Sequence, residues 1–406
     1  MSSSSEITSD TSPWETLLTS TAIQALVSMA ALISPVLTPL IIEKVGGTAS
    51  ILAGTIASLT YLGAAIFTVI SGPLIYKWGA IRISQVGMLI CATGLAIAST
   101  GSYFALLTGA FIIGMGNGPI TPASSHILAK TTPARRLSLV FSVKQTGVPL
   151  GGLSAGAIGP IVGVFFGWQV MLVSMACVCV AFSFFSERLH RRLDTDAQPD
   201  ASISFSSILE PAKIVLQNRI LLKLALCSMA FTFAQLTVSA YSVTYLKESV
   251  GMSIVTAGLF LSVAQVGGVF GRVGWGYIAD SWLGGSTMLT VLAFVMACCS
   301  VVMSFLNPAT PEWLVAVLMA VFGATAIGWN GVLLAQVARF APKGSEGKAT
   351  SGTLLFTFTG NVVGPMLLTA TIHAFDGMKA AYMLLAVPIC IAAAALLLNK
   401  KATNNP

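Results

Sequence analysis

Apolar residues run along this chain in stretches of about twenty, and polar residues are confined to the short segments between them. The stretches fall at roughly 18–42, 51–71, 83–100, 104–128, 137–166 and 169–186. After an interruption they resume at 220–245, 255–279, 288–306, 313–340, 350–373 and 380–398. A helix rises about 1.5 Å per residue and the hydrocarbon core is about 30 Å thick, so each stretch is long enough to cross a membrane. The interruption carries Arg188, Arg191, Arg192, Asp194, Asp196, Asp200 and Lys213 and is the only long polar connection. The pattern predicts an all-α integral membrane protein of twelve helices in two six-helix halves. Its parts are a tail (1–17), a first half (18–186), a central loop (187–218), a second half (219–399) and a final tail (400–406).

Composition agrees with that pattern. Hydrophobic residues make up 55% of the chain and charged residues 9%, against about 25% charged in soluble domains. The net charge of +7 would suit a nucleic-acid partner, but its placement argues for topology and against that partner. Alternate loops on one side hold Lys77, Arg82, Lys130, Arg135, Arg136, Arg188, Arg191, Arg192, Lys213, Arg219, Lys223, Arg339, Lys343, Lys348, Lys400 and Lys401. The other side holds only Lys44, Lys247 and Lys379. Basic loops stay inside, which predicts both termini and the central loop in the cytoplasm and a bacterial inner (plasma) membrane location. Residues 1–12 have no basic segment ahead of an apolar core, so the first span is expected to remain as a helix and not to be cleaved as a signal peptide. The seven cysteines lie in apolar runs and read as core fillers. His126, His190 and His373 are scattered, which disfavours a membrane enzyme, and no segment is large enough for a receptor's outer domain.

The halves repeat one another. The run from Ile51 through Gly54 to Gly72 matches that from Val255 through Gly258 to Gly276. Thr146, Gly147 and Gly151 match Thr359, Gly360 and Gly364, and Pro133 has its counterpart in Pro342. Such repeats are the plan of secondary transporters with a site between the halves. The turn after the second span, from Gly72 through Leu74, Tyr76, Lys77 and Gly79 to Arg82, resembles the signature loop of the major facilitator superfamily. So does its repeat, from Gly276 through Ala279 and Asp280 to Gly284. The resemblance implies the major facilitator fold, alternating access, and a gate in which Asp280, Gly276, Lys77 and Arg82 take part. Tyr76 stands where that loop's acid would be in the first half, so the latch there is expected to be incomplete.

Ionisable residues at membrane depth narrow the chemistry. None of the fourteen acidic residues falls mid-span, whereas Lys144 and Arg272 do, each about eight residues or roughly 12 Å from a cytoplasmic span end. A buried charge costs about 2.5–3.5 kcal/mol on insertion scales, so it is rare without a use. A cation porter or a carboxylate proton relay would need acids, so a positive cavity suggests a small organic anion. Here the chain resembles the anion-carrying branches, among them the monocarboxylate, oxalate–formate and cyanate-permease-like porters. Monocarboxylate transporters and oxalate–formate exchangers share an arginine at the place of Arg272. The exchangers also have a lysine, but on span eleven, near Thr357 here, whereas this chain has it on span five. The monocarboxylate branch places a carboxylate where this chain has Gly268. The competing structural reading is that Arg272 clamps backbone carbonyls or Asp280, and that Lys144 serves a gate or snorkels to the cytoplasm.

Polar and aromatic residues at depth complete the candidate site: Tyr61, Asn117, Gln145, Phe231, Gln235, Gln265, Trp329, Asn330 and Asn361, with Gln24 and Phe233 beside them. Glycines recur four apart at Gly147–Gly151, Gly152–Gly156 and Gly159–Gly163, which predicts close helix approach. Lys144, Gly147 and Gly151 share a face, expected to line a cavity between moving helices. Asn361, in the Gly360–Gly364 seam, is expected to face the partner half. Pro35, Pro39, Pro119, Pro122 and Pro149 are expected to mark bends. The reading is a secondary transporter of a small organic anion, a monocarboxylate in the first instance, as a proton symporter or anion exchanger. It needs no cofactor and no metal, and it is expected to act as a monomer in the bilayer. Drug efflux is the alternative, since Gly159-Pro160-Ile-Val-Gly163 partly resembles the antiporter motif of drug exporters.

Overall fold

A computed structural model describes residues 13–132, 137–195, 197–198, 210–342, 345–375 and 377–403. Pro133, Arg135, Arg136, Asp196, Asp200 and Lys343 lie outside the described residues. Among the described residues, twelve helical spans are long and apolar enough to cross a membrane. The first six are Trp14–Val45, Ala49–Trp78, Ala80–Ser99, Tyr103–Thr131, Val143–Phe166 and Trp168–Leu193. The second six are Arg219–Glu248, Ile254–Leu283, Gly285–Ser304, Glu312–Phe340, Lys348–Ala374 and Met378–Leu397. Below, the face near residues 13 and 403 is called the termini face and the opposite one the distal face. The sharp turns from span two to three and from span eight to nine repeat each other. Each turns on a glycine at positive φ, Gly79 (89°) and Gly284 (74°), a backbone conformation side chains rarely adopt.

Within the first half, span one packs on span five, and span three on spans four and six. In the second half, span eight packs on span ten, and span nine on span twelve. The halves meet where span five lies against span eight, span two against span eleven, and span one against span seven. Hydrogen bonds joining the halves sit at mid-depth or toward the distal face. Thr38 and Thr244 pair at 3.2 Å, Ser58 donates to the Val362 carbonyl (3.0 Å) and Ser262 to that of Leu153 (2.9 Å). At the distal end Lys247 reaches the Pro39 carbonyl (3.4 Å) and the Glu43 carboxylate (3.6 Å).

Several spans are not continuous α-helices, and the sequence explains where. Span four divides into Tyr103–Asn117 and Ile120–Thr131 around Gly118 and Pro119. The helix Leu137–Gln145 leads into span five, which breaks after Gln145 and continues as Gly147–Phe166. Pro149 has no N–H to offer the carbonyl four residues back, which is that of Gln145. Span ten, the repeat of span four, divides at Trp329 into Glu312–Gly328 and Asn330–Phe340. Span one, in contrast, stays helical through Pro35 and Pro39, so those prolines break no helix.

Residues 187–218 are more than a connector. The helix Glu187–Leu193 packs on span three and the helix Glu210–Gln217 packs on span eleven. The cysteines are all unpaired thiols, but only Cys91, Cys179, Cys227 and Cys299 fill the core. Cys177, Cys298 and Cys390 are exposed on the outer helix faces, because a membrane protein's apolar runs serve lipid-facing surface as well as interior.

Candidate substrate site

The Lys144 side chain is 1% exposed and turns into the first half, not toward the termini face. Its ammonium donates to Gln24 Oε1 of span one at 3.0 Å and lies 3.5 Å from Thr121 Oγ1 of span four. Thr121 donates its own proton to the same Gln24 oxygen (3.0 Å), and the Gln24 amide nitrogen donates to Ser28 (3.3 Å). The lysine thus ties spans one, four and five together through neutral acceptors alone. Among the described residues no ion pair involves it. The break at Gly118 and Pro119 sets the Thr121 segment, which begins the second piece of span four, against this cluster.

Arg272 is half-buried on span eight and crosses to the other half. Its Nη1 donates to the Gln145 carbonyl at 2.7 Å, and its Nε donates to the Ile327 carbonyl of span ten at 3.2 Å. The first acceptor is the carbonyl that Pro149 leaves without a helical partner, and the second lies beside the span-ten break. The guanidinium therefore closes two helix discontinuities at once, and it does so one residue away from Lys144. This is the carbonyl-clamp geometry, and among the described residues Arg272 makes no ion pair with Asp280, which is exposed.

The glycines of span five serve two neighbours. Gly147 and Gly151 face span one, where a Cβ would meet Gln24 and the carbonyls of Thr21 and Ala25; Gly159 and Gly163 meet Ile33, Leu37 and Leu40 of the same span. Gly152 and Gly156 face span eight, against Gln265 and against Gly258 with Ser262. Lys144 shares the first of these faces. The expectation that this face lines a cavity between moving helices is corrected for that reason: span one already covers it.

The remaining candidates separate into groups. Phe231 and Trp329 are fully buried and meet edge to face with centroids 5.6 Å apart. Asn330 donates to Gln235 Oε1 (3.4 Å) and Gln265 to Ser239 Oγ (3.3 Å). Tyr61 and Asn117 are half-buried. Asn361 does not face the partner half. Thr232 of span seven donates to its Oδ1 (3.2 Å), and Gly360 and Gly364 pack on Met229 and Phe233 of that span. It is the next residue, Val362, whose carbonyl meets the first half. Of the candidate residues, two carry a buried polar atom with no partner among the described residues, Gln145 Oε1 and Trp329 Nε1; Thr16, Ser34, Ser242 and Tyr382 each carry one elsewhere. An unpaired buried donor or acceptor costs about 1–3 kcal/mol.

The expected gate residues lie at the termini face, and the sequence reading missed one of their partners. Tyr76 is exposed. Asp194, just past the helix Glu187–Leu193, supplies a carboxylate to the same loop. Its oxygens accept the backbone N–H groups of Ile81 (3.0 Å) and Arg82 (2.9 Å), capping span three, and the His190 ring lies 2.8 Å away. Arg82 pairs with Glu187 at 3.2 Å, Gln85 donates to the same carboxylate, and Lys130 holds the Leu193 carbonyl (3.1 Å). Lys77 and Gly276 are half-buried.

A twelve-span bundle of repeated six-helix halves, joined near mid-depth by the bond from Arg272 to the Gln145 carbonyl, is the build of a membrane transporter. The chain belongs to the Major Facilitator Superfamily, whose family model matches residues 17–365. It is 23% identical over 233 residues to the hexuronate transporter of Bacillus subtilis, a match that covers 56% of this chain and 55% of that protein. It is 21% identical to the benzoate transport protein of Acinetobacter baylyi, covering 87% and 82%. It is 24% identical to the quinolone resistance protein NorA of Staphylococcus aureus, covering 91% and 92%. Among solved structures it resembles a bacterial homologue of the human lysosomal transporter Spinster in an inward-facing, occupied conformation. The TM-score is 0.74 at 15% identity, covering 96% of this chain and 98% of that one. The chain is therefore a multi-pass membrane transporter and not an enzyme, with organic-anion transporters among its relatives.

Proposed function

We propose that this transporter carries a small organic anion, a monocarboxylate in the first instance, across the bacterial inner membrane by alternating access. Both termini face the cytoplasm in this reading, which the lysine and arginine bias of the loops supports, and the units that rock are residues 18–186 and 219–399. The observation that carries it is Lys144, buried to 1% exposure with only neutral acceptors, one residue from the carbonyl that Arg272 holds. Two cations at mid-depth without a carboxylate partner among the described residues leave net positive charge in a low-dielectric place, which an anionic substrate would neutralise. Arg272 has further N–H donors beyond the two in use, and Trp329 Nε1 is an unused donor nearby along span ten. Two relatives named for acid substrates, hexuronate and benzoate, support the anion class.

Substrate binding is tested by thermal shift of purified protein against aliphatic and aromatic carboxylates and against cationic amphiphiles, since ligands stabilise what binds them. Carboxylates should stabilise the wild type, and Lys144→Gln and Arg272→Gln should lose that stabilisation. Removing one partner of a desolvated ion contact typically costs about 2–5 kcal/mol. Stabilisation by cationic amphiphiles alone would overturn the reading in favour of drug efflux, the second reading that the NorA resemblance and the Gly159–Gly163 run support. Coupling is read from uptake into vesicles. Uptake into empty vesicles driven by an inward proton gradient means symport, and uptake that requires internal anion means exchange.

A further inference from the structure

On the outer side of the second half, spans seven, eleven and twelve do not close against one another along their whole length. They leave a cavity of about 340 Å³. Small residues open it: Ala230 on span seven, Gly360 and Gly364 on span eleven, Ala392 and Ala395 on span twelve. At its floor Cys227 meets the Ala392 carbonyl at 3.6 Å. Its mouth is formed by side chains on the outer surface, with Leu226 51%, Leu367 52% and Ile391 65% exposed. In a membrane these side chains meet hydrocarbon, so the cavity opens sideways into the bilayer and not into the path between the halves.

The wall has one cationic end. Lys223 lines the cavity toward the termini face, and Arg219 stands four residues earlier, one turn away on the same face of the helix. From Lys223 to Phe233, the deepest lining residue of span seven, is ten residues, or about 15 Å of helix. That is half of a hydrocarbon core about 30 Å thick, so on span seven the groove runs from the termini face to about mid-membrane, with Leu367 of span eleven lining its far end.

We infer that this groove binds one acidic membrane phospholipid. An acyl chain lies between spans seven, eleven and twelve, and the phosphate-bearing headgroup sits against Lys223 and Arg219. The three observations fit only when taken together. An apolar slot open to the bilayer selects a hydrocarbon chain, its depth selects a chain anchored in the near leaflet, and its cationic rim selects an acidic head. Lys223 has three N–H donors, so it can hold a protein partner and a phosphate oxygen together. Basic pockets between membrane helices are known to favour such heads. The lipid would brace spans seven and eleven, whose contact carries the Thr232–Asn361 and Thr357–Ser228 bonds. The inference is independent of which solute the transporter carries.

The test uses purified full-length protein exchanged from vesicles of phosphatidylglycerol or of phosphatidylcholine, followed by native mass spectrometry of retained lipid. Wild type should retain phosphatidylglycerol in preference to phosphatidylcholine. Lys223→Gln should reduce phosphatidylglycerol retention about fivefold, the worth of one basic residue near an acidic headgroup, and leave phosphatidylcholine unchanged. Ala230→Phe and Ala395→Phe fill the slot and should abolish retention of both. Gel filtration checks that each variant is folded, and Lys223→Gln keeps the test decisive if a filled variant is not. Equal retention of the two lipids by wild type, or unchanged selectivity in Lys223→Gln, would overturn the inference.

Discussion

The bond from Arg272 to Gln145 is the place to test how the halves are held, because the chain itself says why it exists. Pro149 removes the N–H that would have served the Gln145 carbonyl, and Arg272 Nη1 takes its place at 2.7 Å. A hydrogen bond from a charged donor contributes about 1.5–3 kcal/mol. Arg272→Met keeps much of the side chain's length but donates nothing. It should therefore shift the balance away from this arrangement of the halves by roughly ten- to a hundredfold, at about 1.4 kcal/mol per factor of ten. Pro149→Ala restores the helical N–H, so the carbonyl no longer depends on the arginine. Combined with Arg272→Met it should recover about 1 kcal/mol, a coupling of the size expected for groups in direct contact. The readout is single-molecule energy transfer between dyes on cysteines placed at Tyr76 and Trp282, both exposed on the termini face, with the native cysteines replaced. If Arg272→Met leaves the distance distribution as in wild type, or if the two substitutions simply add, the arginine does not clasp the halves through this carbonyl.

Two further outcomes follow from close contacts. Asp194→Ala strips the cap from the start of span three and leaves the N–H groups of Ile81 and Arg82 without their acceptors; thermal unfolding should show a loss of about 0.5–2 kcal/mol, largely recovered in Asp194→Asn. Gly156→Leu places a side chain against the Gly258 carbonyl and Ser262, so spans five and eight cannot keep their backbone approach; uptake should be lost while the protein still elutes as a folded species, and normal uptake would show that this seam is not needed.

The twelve spans were legible because each signal is local: twenty apolar residues bounded by charges need no knowledge of partners. The fifth-span break was half legible, since Pro149 marks it but only the fold shows that Arg272 fills the vacant place. Lys144 shows where such reading stops. Its spacing from Gly147 and Gly151 put all three on one face, which holds, yet which helix covers that face is decided by packing. Span one takes it, and the lysine is drawn into its own half. Asn361 fails for the same reason, with its glycines turned to span seven. Asp194 was not legible at all as a cap. It lies more than a hundred residues from Ile81 and Arg82, and nothing in a polar loop announces which helix end it will meet.

The asymmetry between the two cations bears on how a ligand would move the halves. Lys144 is tied only to groups of the first half, whereas Arg272 belongs to the second half and spends one donor on the first. A ligand shifts a conformational balance only through a difference in its affinity for the two states. An anion held by Lys144 alone would stabilise both states alike and move nothing. An anion that takes the Arg272 donor in place of the Gln145 carbonyl replaces a bond between the halves with a bond to itself. It therefore favours the arrangement in which that inter-half bond is open. On this argument the arginine, and not the more deeply buried lysine, is where binding is converted into motion. Lys144→Gln should then weaken binding with little effect on the ligand-driven shift in dye separation. Arg272→Lys, whose shorter head cannot span both carbonyls, should still bind an anion while the shift is lost.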